Sequence, residues 1–158
     1  SLPIHFCGIA GILAGIMMLR QNQTGFEFLA LIGTPVAMHA IITPQLNHGP
    51  MQFLIYKYYI SHVGIILVPL FYAIVLGYRV SNRSWFKVIL LCQFLFLFIG
   101  IANYMIGSNY MYLAARPLVN NPMLLGEWPW YIIGFQFLGI IHIFLFFFGY
   151  RKFKPLPY

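Results

Sequence analysis

Five long runs of apolar residues, separated by short polar stretches, dominate the chain. The runs cover about 3–19, 26–43, 53–78, 85–106 and 128–150. Each approaches or exceeds the roughly 20 residues that a helix needs to cross a bilayer. The polar punctuation is equally regular: Arg20-Gln21-Asn22-Gln23-Thr24-Gly25 closes the first run, and Pro44 to Pro50 closes the second. Arg79-Val80-Ser81-Asn82-Arg83-Ser84 closes the third, and a long, proline-bearing connection from Gly107 to Glu127 precedes the last. Pro3 suits the first position of a helix, where its missing N–H costs nothing. Pro35, inside the second run, predicts a kink. Tyr56-Lys57-Tyr58-Tyr59 reads as a headgroup-level belt, so the hydrocarbon part of the third run begins near Ile60. The pattern predicts an all-α, polytopic membrane bundle of five transmembrane helices, one domain over residues 1–158.

Composition strengthens this reading. Of 158 residues, 61% are hydrophobic and only 7% charged, far from the roughly 25% charged of soluble domains. The net charge of +7 does not indicate nucleic acid, because the basic residues sit in short turns and in the tail rather than on one face. Arg20, Arg79, Arg83, Lys87, Arg151, Lys152 and Lys154 fall on one side of a five-helix topology, and Lys57 and Arg116 on the other. This bias predicts a cytoplasmic C-terminus and a first helix that starts on the non-cytoplasmic side. Gly and Ala in Cys7-Gly8-Ile9-Ala10-Gly11 and Ala14-Gly15 suit close helix contacts.

The same topology collects polar residues toward the non-cytoplasmic side: His5, Cys7, His48, His62, Asn103, Asn109, Arg116 and Glu127. At about 1.5 Å per residue, Cys7 and His62 come to similar depths. A thiol there has two readings. It is a small packing residue, or it is a nucleophile favoured by the helix N-terminus and by His62. Cys92, deep in the fourth run, reads as packing. His5 and Cys7 are two apart and project about 200° apart on a helix, so His5 orients a partner or meets a headgroup. His39 is a third candidate at the outer end of the second run, and His142 is expected to bond across helices. No HxxxH or CxxC spacing supports a metal site, and no cofactor is indicated.

Several motifs carry a family resemblance: Leu2-Pro3-Ile4-His5-Phe6-Cys7, Thr43-Pro44, Ser61-His62, Asn103-Tyr104-Met105 with a following proline, and Gly126-Glu127-Trp128-Pro129-Trp130-Tyr131. Together they resemble the YwaF-like bacterial integral membrane proteins, whose eukaryotic relative is transmembrane protein 164. The resemblance implies a cysteine-dependent phospholipid acyltransferase, similar in layout to membrane hydrolases of fatty acid esters that use Thr and His. It places the chain in a bacterial inner membrane, with membrane phospholipids as partners. It also implies at least one helix ahead of the Leu-Pro-x-His motif. The matching positions are Cys7 as nucleophile and His62 as base. Asn103, Asn109 and Tyr110 are then candidate oxyanion donors, and Arg116 is a candidate phosphate ligand or a snorkelling headgroup contact. The same composition fits a non-catalytic lipid-binding protein, an accessory subunit of a larger membrane complex, or a small transporter.

Overall fold

A computed structural model describes residues 4–44, 52–116 and 126–154. Among them are five helices and no strand: α1 (Phe6–Leu19), α2 (Gln23–Ile42), α3 (Gln52–Ile74), α4 (Ser84–Ile106) and α5 (Trp130–Lys152). The four helices α2 to α5 are long and apolar enough to cross a membrane. α1 is equally apolar but has 14 described residues, about 21 Å, which is shorter than the expected first span. Pro3 and His48 lie outside the described residues.

The second helix starts earlier than its hydrophobic run. Asn22 accepts a hydrogen bond from the Gly25 N–H at 2.8 Å, so this polar residue caps the helix and draws Gln23 and Thr24 into its first turn. The third helix ends at Ile74, before the expected limit, where the chain turns through Gly77 at φ 72°. α5 spans 130–152 rather than 128–150, because Pro129 stands at its N-cap.

α2 is the hub. Within its most apolar window 67% of residues are buried, against 22%, 17% and 11% for α3, α4 and α5, so the other helices pack around it. Gly25 allows the approach of α1, since a Cβ there would stand 2.7 Å from Met17 Sδ. The small residues that pack on α1 are Ala10 and Ala14, both buried. In a bilayer such close contacts replace the hydrophobic drive that water supplies to soluble proteins.

Pro35 does not act alone. The preceding turn, Leu29–Gly33, is a fully buried π-helical turn with one extra residue per bond, and Thr34 Oγ1 donates to Leu29 O at 2.9 Å. A proline ring clashes with the carbonyl four residues back, here that of Leu31, and the wider π turn gives it room. At the position where the sequence predicts a kink, the structure shows a change of helical phase.

Candidate functional site

Two contacts fix how α1 and α3 run past each other. A Cβ on Gly11 would meet Ile65 Cδ1 at 4.0 Å, and Tyr72 Oη donates to Met17 O at 2.6 Å. Both pair residues with nearly the same offset on helices that run in the same direction. One turn outward from Gly11 and Ile65, that offset sets Cys7 level with Ser61 and His62. A Cβ on Gly33 would lie 3.4 Å from Ile65 Cγ2, so one turn along the antiparallel α2 the buried Ala37 occupies the same level. Cys7 is half-buried and in no disulfide, and His62 is 6% exposed.

The His62 ring packs on Tyr58 with centroids 4.1 Å apart, and its Nδ1 lies 2.7 Å from Tyr58 O. A carbonyl can only accept, so Nδ1 carries the proton and Nε2 of the neutral ring holds a lone pair. Tyr58 itself is held to α2 through its hydroxyl, which donates to Ala40 O at 2.7 Å. The orientation of the His62 ring is thus fixed by a backbone carbonyl. Among the described hydrogen bonds His62 bonds to Tyr58 and not to Cys7. Cys92 is buried in the apolar cluster, as a packing residue would be.

His39 pairs elsewhere. Its Nε2 lies 3.0 Å from His142 Nε2, and His142 Nδ1 lies 2.7 Å from Leu138 O. With the Leu138 carbonyl accepting from Nδ1, neutral His142 accepts at Nε2, and His39 donates. The cross-helix bond expected of His142 is present, with His39 as its partner.

Asn103, Asn109 and Tyr110 build the turn that follows α4. Asn103 Nδ2 donates to Tyr110 O at 2.9 Å, while its Oδ1 accepts from Ser108 Oγ and from the Tyr110 N–H, each at 2.8 Å. Asn109 Oδ1 accepts from the N–H groups of Ala114 and Ala115, and its Nδ2 donates to Ala115 O. Most of the bonding capacity of these two amides is committed to the turn. Gly107, left-handed at φ 61°, caps the C-terminus of α4 and starts this turn.

This turn rests on the start of α1. His5, the N-cap of α1, faces Tyr110 edge-on at 5.1 Å and lies 6.0 Å from the Tyr112 ring, and its Nδ1 accepts from the Met111 N–H at 3.4 Å. Burial pushes the His5 pKa below its ordinary value, which keeps this nitrogen unprotonated and able to accept. Tyr131 Oη donates to Tyr112 O, and Trp128 Nε1 donates to Leu113 O at 3.0 Å. Arg116 is exposed; its Nη1 reaches Gly126 O at 3.4 Å and stands 4.0 Å from Glu127 Oε1.

The sequence of this chain matches the TMEM164 family over residues 1–147. The chain belongs to that family. No curated protein and no solved structure matches it. In this TMEM164-family chain, a second polar cluster lies at the opposite end of the bundle. Glu27, fully buried, pairs with Lys87 and accepts from Gln23 Nε2 and the Ser81 N–H, each at 3.0 Å. Its partner Lys87 is 60 positions away, and nothing local in the sequence signals the pairing.

Proposed function

We propose that this TMEM164-family protein is a membrane-embedded, cysteine-dependent acyltransferase or (thio)esterase acting on phospholipids. The observation that carries the reading is the shared level of Cys7 and His62 on neighbouring helices, with the His62 lone pair at Nε2. In this reading Nε2 takes the Cys7 proton and the thiolate attacks a lipid ester carbonyl. The tetrahedral intermediate collapses to a thioester, and the leaving lysolipid oxygen takes the proton from His62. An acceptor hydroxyl, or water, then gives its proton to Nε2 and attacks the thioester. The Cys7 thiolate leaves and is reprotonated.

The long apolar helices set the site in a lipid environment, which suits a lipid substrate. The charge bias across the turns supports a cytoplasmic tail, with Cys7 near the other leaflet. His5, Asn103, Asn109 and Tyr110 act as positioning residues that hold the turn beside the start of α1. Arg116 suits a headgroup phosphate at the exposed rim, and His39 braces α2 against α5.

Incubation with acyl-labelled phosphatidylcholine and phosphatidylethanolamine, then mass spectrometry of the quenched protein, tests the reading. Acyl label on Cys7 and none on Cys92 supports it; an unlabelled Cys7 with lipid turnover intact in Cys7→Ser sinks it. Lipid binding without turnover is the second reading, favoured by two apolar grooves of the bundle that lie away from Cys7.

A further inference from the structure

Two apolar grooves adjoin along α4 toward the Arg20 end of the bundle. The first, of ≈ 500 Å³, lies between α1, α2 and α4; Leu13, Ile16 and Phe28 line it, and Arg20, Asn22 and Thr24 stand at its end. The second, of ≈ 580 Å³, follows the other side of α4 along Phe86 and Leu90, with Arg83 and Lys87 at its end. Leu91 and Phe94 line both grooves and so form the ridge between them. The polar ends meet where Lys87 Nζ approaches Thr24 Oγ1 at 3.5 Å.

The charge at this end is unbalanced. Lys87 is neutralised by Glu27, whereas Arg20 and Arg83 have no carboxylate partner among the described residues. The walls are hydrocarbon in character and open outward: Ile16, Leu90 and Phe94 are 52%, 53% and 67% exposed. Two parallel apolar troughs ending in uncompensated cations match the shape and charge of a two-chain lipid with an anionic head.

We propose that these grooves bind one anionic diacyl phospholipid, with an acyl chain on each side of the Leu91 and Phe94 ridge and the headgroup phosphate between Arg20 and Arg83. A zwitterionic headgroup offers the same phosphate but brings its own cation toward the arginines, so the site discriminates by net charge. The site is separate from Cys7 and does not depend on acyl chemistry there.

Native mass spectrometry of the detergent-released protein, with palmitoyl-oleoyl phosphatidylglycerol and phosphatidylcholine as probes, tests this. The wild type retains phosphatidylglycerol preferentially, and each of Arg20→Gln and Arg83→Gln lowers that preference about fivefold, the scale for one basic residue at an anionic membrane surface. Ile16→Trp and Leu90→Trp, at lipid-facing positions the fold does not need, each fill one trough. They weaken the two-chain lipid while leaving the one-chain lysophosphatidylglycerol bound. Equal retention of both headgroups by the wild type overturns the proposal. So does a preference that survives the double arginine variant, or displacement by excess glycerol 3-phosphate, which has no chains.

Discussion

The two ends of the bundle differ in how they handle buried polarity. At the Glu27 end the protein closes its own circuit: an acid, a lysine, a glutamine and a backbone N–H satisfy one another around a fully buried carboxylate. At the Cys7 end Asn103 and Asn109 close a turn in the same way, and the group held with a valence to spare is His62. His62 is anchored through one nitrogen with a lone pair on the other, beside the level of a half-buried thiol. Polarity that is satisfied within the protein holds helices together, whereas polarity held in place with a valence to spare is equipped for chemistry. Ionisable residues inside spans therefore divide by what remains unbonded, and counting them does not separate the two kinds.

The strongest break in this contrast is functional. On the proposed reading, His62→Ala lowers acyl transfer by about a hundredfold to ten-thousandfold, the range for a lost general base, well beyond the modest destabilisation from losing a buried ring. Rates from labelled phospholipid vesicles check this, and a large loss of stability with activity retained would reverse the assignment of the two ends.

Next comes Lys87→Met. It strands the Glu27 carboxylate in a buried site and costs roughly 3–5 kcal/mol, whereas Glu27→Gln leaves a half-exposed lysine that reaches the interface and costs less. Unfolding in detergent, compared between the two variants, reads the asymmetry; equal losses would show that burial of the acid is not the controlling feature.

Asn103→Ala removes both ends of a buried amide bridge and costs about 1–3 kcal/mol. Faster amide exchange at residues 108–113 locates the effect in the turn, and unchanged exchange there would count against its role. A double-mutant cycle of His39→Phe and His142→Phe should give a coupling of about 0.6 kcal/mol, the average for hydrogen bonds between membrane helices.

The smallest effect is the pH response of His5. Its folded-state pKa lies below the ordinary 6.5, so the unfolded chain binds the proton more readily. The contribution of His5 is complete above about pH 6.5 and is lost as pH falls from there toward the lowered value. Wild type and His5→Gln, compared by unfolding across that window, should converge in acid.

Much of this architecture was legible because helix rise is fixed. Spacing alone brought Cys7 and His62 to one depth, and the apolar runs gave the helices to within a few residues. Helix ends moved where a single side chain decided them, as Asn22 and Pro129 did. The roles of Asn103 and Asn109 were obscured because an amide that can stabilise an oxyanion can equally stabilise a turn; only the neighbouring N–H groups decide. The Glu27 and Lys87 pair and the His39 and His142 pair depend on tertiary packing, which one sequence does not encode in any local pattern.

The π turn of α2 has a consequence for how this chain tolerates change. Its extra residue advances the rest of α2 by about 100° relative to a regular helix. Deleting one residue from Leu29–Gly33 would leave a helix just as apolar and still long enough to span, yet would swing His39 off His142 and Ala37 away from the level of Cys7. The turn works as a phase key: length and hydrophobicity decide that α2 crosses the membrane, and this one residue decides which side chains it presents at the far end.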